Sequence, residues 1–427
     1  MTHITLLPEK HLDDFITIVS NAYPGMEIFT QEDIKKFRET LKKITEGETT
    51  NLYGAYRDNT LVGGMIFDDF TMTLYTVQTL TGGVGMVAVD LVHKKEKVCK
   101  DMILYFLEHY HKKGACLTAL YPFRPDFYRK MGFGVGAKMH QYRVKPDQFP
   151  RKTKDHIQFL DKPDKQLLVD CYTRYTNKTH GMMQKRPFPL NRIFEKPEYK
   201  IVGYKTKTNN KEKTKKGDKI SGYMVFTLKR GDKDNFLIND IMVEEFIYET
   251  KEALHELLTF LHIQKDQIRH VIFNTQDEYF QHVFPDPRDC SAQVIPDVYH
   301  QSNCSGVGIM YRVINTEKFF DVLKDHEFGN ETITLKISVT DTFFEKNNGD
   351  IFLKFEKGTL KNCTRTNTEH DVEIVMDISD FSSLVMGVVP FDRLYTYGLA
   401  EISDSQYIDT VTTIFKAKEK PVCTTHF

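Results

Sequence analysis

The chain has 427 residues, 40% hydrophobic and 27% charged, a soluble globular composition on a length that exceeds one ordinary core and predicts two or three domains. Lysine plus arginine number 58 against 59 aspartate plus glutamate, so no global field recruits nucleic acid or an anionic membrane. The seven cysteines form no C-x-x-C pair, which argues against a disulfide framework or a zinc knuckle and predicts no metal and a reducing, cytoplasmic setting. The first residues lack a basic n-region and a long apolar core, so no signal peptide is expected, and no stretch reaches the ~20 apolar residues of a spanning helix.

Helical apolar spacing is predicted over His11–Ala22 and Gln31–Ile44. Strands follow at Asn51–Arg57, Leu61–Asp69 and Thr71–Thr79, the first two joined by the hairpin signal Asp58-Asn59. Gly82-Gly83-Val84-Gly85 then leads into Met86–Val89. A helix is marked by Val98, Met102, Phe106 and His109 and closed by Gly114. Ala115–Leu120 reads as a strand, Phe127–Phe133 as a turn of helix, and Val135–Val144 as a further strand. The polar stretch Lys145–Lys152, with Pro146 and Pro150, marks a boundary. The next region weakly repeats the order: helix Lys165–Thr176, strands Tyr199–Tyr204 and Ile220–Leu228, then strand Phe236–Val243, helix Thr250–Leu261 and strand His270–Phe273. Lys205–Lys219 reads as a solvated loop. From about Ser302 a helix (Thr316–Lys324) precedes strands Ile333–Phe344, Asp350–Phe355 and Asp371–Asp377, with a turn at Asn347-Asn348-Gly349 and a helix at Ile378–Met386.

The chemistry concentrates in two segments. A strand ending in Val87-Ala88-Val89 can offer main-chain N–H groups to a developing oxyanion. The helix beginning near Lys97 turns free N–H groups toward an anion, assisted by its dipole. Lys94, Lys95, Lys97 and Lys100 crowd this turn as point charges. The second segment is Phe127-Tyr128-Arg129-Lys130-Met131-Gly132-Phe133. A phenol of pKa about 10 is protonated at neutral pH and can donate a proton to a departing thiolate. For a base, Glu27, Asp68 and Asp69 are candidates, and so is the α-carboxylate of Phe427. Cys99 and Cys116 lack a His-Asp partner set and read as structural.

The aromatic-Tyr-x-x-x-Gly-Phe segment between strands, and the order of elements before it, resemble the GNAT acyl-CoA N-acyltransferases. That family writes the phosphate turn as R/Q-x-x-G-x-G/A, whereas this chain reads Lys94-Lys95-Glu96-Lys97-Val98-Cys99 without either glycine. The weak repeat resembles a second, degenerate GNAT domain, and the last region resembles a sterol-carrier domain. Val87-Ala88-Val89-x-x-x-His93-Lys94-Lys95, the Tyr128 segment and the terminal Phe427 together resemble the Eis (enhanced intracellular survival) acetyltransferases over nearly the whole chain. The resemblance implies an α+β protein: a catalytic GNAT domain with a mixed central sheet flanked by helices (1–148), a GNAT-like domain (149–300) and a sterol-carrier-protein-like α/β domain (301–427). It implies Tyr128 as general acid and the Phe427 carboxylate as general base. Val87, Ala88, Val89, Lys95, Glu96, Lys97, Val98, Cys99 and Lys100 would hold acetyl-CoA, with Phe123 and Arg124 lining the far side. It further implies a small-molecule amine acceptor (aminoglycoside or polyamine, or a lysine side chain), no nucleic acid, no membrane span, and a homo-oligomer, a hexamer. An aminoacyl-tRNA-dependent peptidyltransferase, and a non-catalytic degenerate GNAT that binds a lipid or partner through its third domain, stand as alternatives.

Overall fold

The computed structural model describes residues 2–208 and 217–427, which cluster into two compact units. The first comprises residues up to Gly136, Gly308–Pro421 and His426–Phe427, and the second comprises Ala137–Val307 and Val422–Thr425.

The first unit is built on a seven-stranded sheet in the order His3–Leu6, Thr50–Arg57, Thr60–Leu74, Val77–Val89, Leu117–Leu120, Met310–Val313 and Gly134–Val135. Asp58 and Asn59, both at positive φ (48° and 62°), make the predicted hairpin. Where separate strands were expected at Leu61–Asp69 and Thr71–Thr79, one strand runs from Thr60 to Leu74, and the next from Val77 absorbs the glycine run. The chain reverses at Tyr75, held at φ 54° with no glycine or asparagine to announce it. The expected strand Val135–Val144 is also divided: Gly134–Val135 lies in this sheet, and Met139–Val144 belongs to the second unit.

Helix Gln31–Ile44 forms as predicted because Thr30 and Asp33 close a capping box at its start. Helix Val98–Lys112 packs Val98, Met102, Ile103, Phe106, Leu107 and Tyr110 into the core beneath the sheet. A second sheet in this unit runs Thr359–Thr364, Gly349–Glu356, Ile333–Thr340, Val372–Asp377 and Ala400–Ile402, with helix Ile378–Val385 fully buried beside it. Strand Ile333–Thr340 stops short of the expected Phe344, because the Asp341 carboxylate accepts from the Phe343 and Phe344 N–H groups and turns the chain.

The second unit has its own seven-stranded sheet, ordered Cys304–Gly306, Met139–Val144, Ile268–Thr275, Asn239–Tyr248, Gly217–Arg230, Tyr199–Thr208 and Ile157–Phe159. Asn239–Tyr248, helix Lys251–His262 and Ile268–Thr275 form the expected strand–helix–parallel-strand core, with Thr250 capping the helix. Lys205 and Lys219, expected in a loop, lie on paired strands that extend to Thr208 and from Gly217. The rest of that expected loop, 209–216, lies outside the described residues. No described helix is long and apolar enough to cross a membrane.

Candidate active site

The site begins where two parallel strands part. Val77–Val89 and Leu117–Leu120 are paired from Thr81↔Leu117 to Val84↔Leu120, and there the second strand ends. The first continues to Val89, paired only on its other edge, through Gly64↔Ala88 and Gly63↔Val89. Its register slips between Gly64 and Ile66, so Met65 faces both Met86 and Val87, and Met86 takes φ 49°. Such a bulge re-aims main-chain groups, and at this one the Tyr23 hydroxyl donates to the Val87 carbonyl (2.7 Å).

Beyond the shorter strand, Pro125 opens a short helix that ends at Arg129 and carries Tyr128, only 3% exposed. Phe123, Phe127 and Phe133 meet its ring at 5.7, 5.3 and 6.0 Å between centroids. Burial, with Cys99 and Tyr23 close by, holds its phenol well above the ordinary tyrosine range, and therefore protonated. Burial likewise pushes the Cys99 thiol up to about 12 and the Tyr23 phenol up to about 12.

Two arginines fix this helix. Arg129 donates to both oxygens of Asp380 (2.8 and 2.7 Å), whose carboxyl burial nevertheless raises above the usual range. Arg312, fully buried, donates to the Met131 carbonyl (2.7 Å) and to both oxygens of Asp341 (2.8 and 2.9 Å). Gly132 sits between them at φ 82°, where a Cβ would stand 2.8 Å from the Arg312 Nε. That close approach and that backbone conformation are why the segment needs glycine there.

The turn before helix Val98–Lys112 lacks glycine but not glycine's shape. Lys95 and Lys97 are both at φ 66°, a left-handed conformation that costs a non-glycine residue about 1 kcal/mol or more. Lys97 provides no side-chain cap, and the first described internal bond is from Asp101 N–H to the Lys97 carbonyl (3.0 Å). The Val98, Cys99 and Lys100 N–H groups thus have no acceptor within the helix and suit an anion. The side chains of Lys94, Lys95, Lys97 and Lys100 are exposed around them, while Val98 is buried in the core. Glu96 turns away to Arg57 and His93, and its hydrogen bond with His93, then Arg57, holds its carboxyl below the usual range. Arg124 is paired with Asp126, and Phe123 is exposed beside Tyr128.

The chain's last residue lies on the same diverging strand. A Cβ on Gly85 would stand 2.9 Å from the Phe427 carboxyl carbon, and one on Gly83 would meet the rings of Phe70 (2.4 Å) and Phe427 (3.1 Å). Phe70 and Tyr121 pack against the Phe427 ring at 4.8 and 5.3 Å. The other candidate bases are engaged or outside this cluster. Asp69 accepts from Tyr110 (2.9 Å) and pairs with Lys113, buried Asp68 accepts from Thr50 (2.7 Å), and Glu27 is an exposed turn residue at φ 53°. Sequence reasoning missed Tyr23, Arg57, Phe70 and Tyr121. For Phe70 alone there was a trace, the glycine run, since glycine inside a strand marks close approach of another group and Phe70 meets Gly83.

Residues 3–136 match an acetyltransferase (GNAT) domain family, residues 212–313 match another acetyltransferase (GNAT) domain family, and residues 320–424 match a sterol carrier protein domain family. The chain carries two GNAT domains followed by a sterol-carrier domain. Among solved structures it is similar to a GCN5-related N-acetyltransferase from Anabaena variabilis (17% identity, TM-score 0.79). It is also similar to a conserved protein of Enterococcus faecalis described as a probable N-acyltransferase (16%, 0.79) and to Eis1 from Mycobacterium abscessus (17%, 0.75). Each likeness covers 100% of both chains, and at these identities it concerns the fold. No curated protein matches the sequence. The GNAT domains make the chain an acyltransferase by fold, with acetyl-CoA the co-substrate they imply and a small molecule as acceptor. The parted strands, the uncapped helix start and the two left-handed lysines fit that co-substrate's thioester arm and phosphates.

Proposed function

We propose that this GNAT protein is an Eis-type N-acetyltransferase that moves an acetyl group from acetyl-CoA to an amine in one direct step. The observation that carries the reading is the Phe427 carboxyl group set on Gly85, where the strands part, with a buried, protonated Tyr128 just beyond the shorter strand. In this reading the catalytic domain spans 1–148, with Met310–Val313 completing its sheet, followed by a degenerate GNAT domain over 149–300 and the sterol-carrier-like domain over 301–427. Main-chain groups at Val87, Ala88 and Val89 orient the thioester, and the turn Lys95–Lys100 holds the phosphates, with Phe123 and Arg124 along the far side. The Phe427 carboxylate removes a proton from the acceptor ammonium, and Tyr128 gives its proton to the departing thiolate. Half-buried Cys99 and buried Cys116, whose thiols are raised to about 12 and about 11, form no acyl-enzyme in this reading. Aminoglycosides, polyamines and lysine side chains are the acceptor classes of this proposal, and a homohexamer is its assembly.

The test mixes the protein with acetyl-CoA and a panel of these amines and follows free thiol release. Turnover that collapses in Tyr128→Phe, and in a variant with one residue added after Phe427, supports the reading. Absence of thiol release with every amine sinks it, and full activity in the extended variant removes the carboxylate from its role.

A further inference from the structure

The phosphate turn holds two lysines in the left-handed conformation, and something must keep them there. One side chain from a distant strand reaches the residue between them. Arg57, the last residue of strand Thr50–Arg57, places its Nη1 2.5 Å from the Glu96 Oε2 and its Nη2 2.7 Å from the Glu96 carbonyl oxygen. His93 Nδ1 shares the same carboxylate oxygen at 3.1 Å, and Arg57 Nε reaches Thr2 Oγ1 at 3.3 Å. Glu96 is thereby gripped by both its carboxylate and its carbonyl, each by a different nitrogen of the planar guanidinium fork. Lys95 and Lys97 flank this one fixed residue.

We propose that Arg57 is a positioning residue for CoA, clamping Glu96 so that Lys95 and Lys97 keep the left-handed turn that presents the Val98–Lys100 N–H groups to phosphate. The clamp does by tertiary contact what glycine does by lacking a Cβ. This rests on the acyltransferase reading, since it assumes that CoA phosphates occupy the turn. Arg57 is itself committed to Glu96 and Thr2, so it acts through the turn and not as a phosphate ligand.

A double-mutant cycle tests it, read as CoA affinity by calorimetry on the full chain, with thermal unfolding as the control for folding. Arg57→Ala is expected to weaken CoA binding about tenfold, because a charge-assisted grip on a strained turn is lost. In a background carrying Lys95→Gly and Lys97→Gly the same change is expected to cost less than about threefold, because glycine adopts both left-handed positions unaided. Acceptor KM should stay unchanged in Arg57→Ala. Equal losses in both backgrounds, or no loss in either, overturn the clamp while leaving the acyltransferase reading intact. No CoA binding by the unaltered protein overturns both.

Discussion

The Phe427 carboxyl carbon stands 2.9 Å from the point where a Cβ on Gly85 would sit, so the chain's last residue and the middle of a core strand are in van der Waals contact. Gly85→Ala must displace that carboxyl group or the strand beneath it. The tail is the softer of the two, so the fold should hold while the carboxylate moves by a fraction of an ångström to an ångström. The expected outcome is a fall in kcat of about ten- to hundredfold, the cost of misplacing a reacting group on that scale. Thermal unfolding should shift little, and unchanged kcat would remove Phe427 from the reaction.

Tyr128→Phe separates the phenol from its ring. The ring is packed by Phe123, Phe127 and Phe133, so removal of the hydroxyl should leave stability nearly unchanged. On the proposed reading kcat falls by about 10²–10⁴, with the KM for acetyl-CoA held within a few fold. Burial raises the phenol, so Tyr128 keeps its proton throughout the assay range, and the sign follows: no alkaline loss of kcat below pH ~10 should arise from it. A rate profile with a basic limb that disappears in Tyr128→Phe would contradict that assignment.

Much of the fold was legible because its signals are local. The apolar spacing of Gln31–Ile44 and the Asp58-Asn59 turn each mark an element through residues close in sequence, and the caps at Thr30 and Thr250 that the structure adds are equally local. The fold class followed from their order. The turn at Tyr75 was not legible, because a tyrosine at φ 54° carries no turn chemistry of its own. Nor was the division of Val135–Val144, since apolar alternation says which face a strand buries but not which sheet receives it. At the site, the glycine run hinted at close approach without naming Phe70 or Phe427 as the group approaching. Arg57 and Glu96, 39 positions apart in sequence, gave no hint at all, because an ion pair between surface residues leaves no periodicity.

The cysteines provide a chemical check on burial. Burial raises the Cys99, Cys171 and Cys363 thiols to about 12 and Cys116 to about 11, while Cys304 is exposed. Only thiolate reacts with iodoacetamide, so a raised pKa means a reactive fraction that is negligible at neutral pH and grows about tenfold per unit as pH climbs toward the folded value. Mass spectrometry after brief alkylation at pH 7.5 should find the Cys304-containing peptide labelled first and Cys99 and Cys116 untouched, with acyl-transfer activity retained. Early labelling of Cys99 would show that its pocket is wetter than this packing allows.

The third domain holds the Tyr128 helix through charge. Arg312 is fully buried and ion-paired with Asp341, itself buried. Asp341→Ala leaves the buried guanidinium without its ion-pair partner, held by the Met131 and Val313 carbonyls alone, and removes the acceptor for the Phe343 and Phe344 N–H groups, so a loss of about 3–5 kcal/mol is expected in chemical denaturation. Asp380→Asn is the milder probe. Its partner Arg129 is 40% exposed and can find water, so stability should drop by about 1 kcal/mol or less. Because Arg129 neighbours Tyr128 on the same short helix, Asp380→Asn should nonetheless lower kcat several-fold while leaving acetyl-CoA KM alone. A change in stability without a change in kcat would make the third domain a scaffold for the fold and not for the tyrosine.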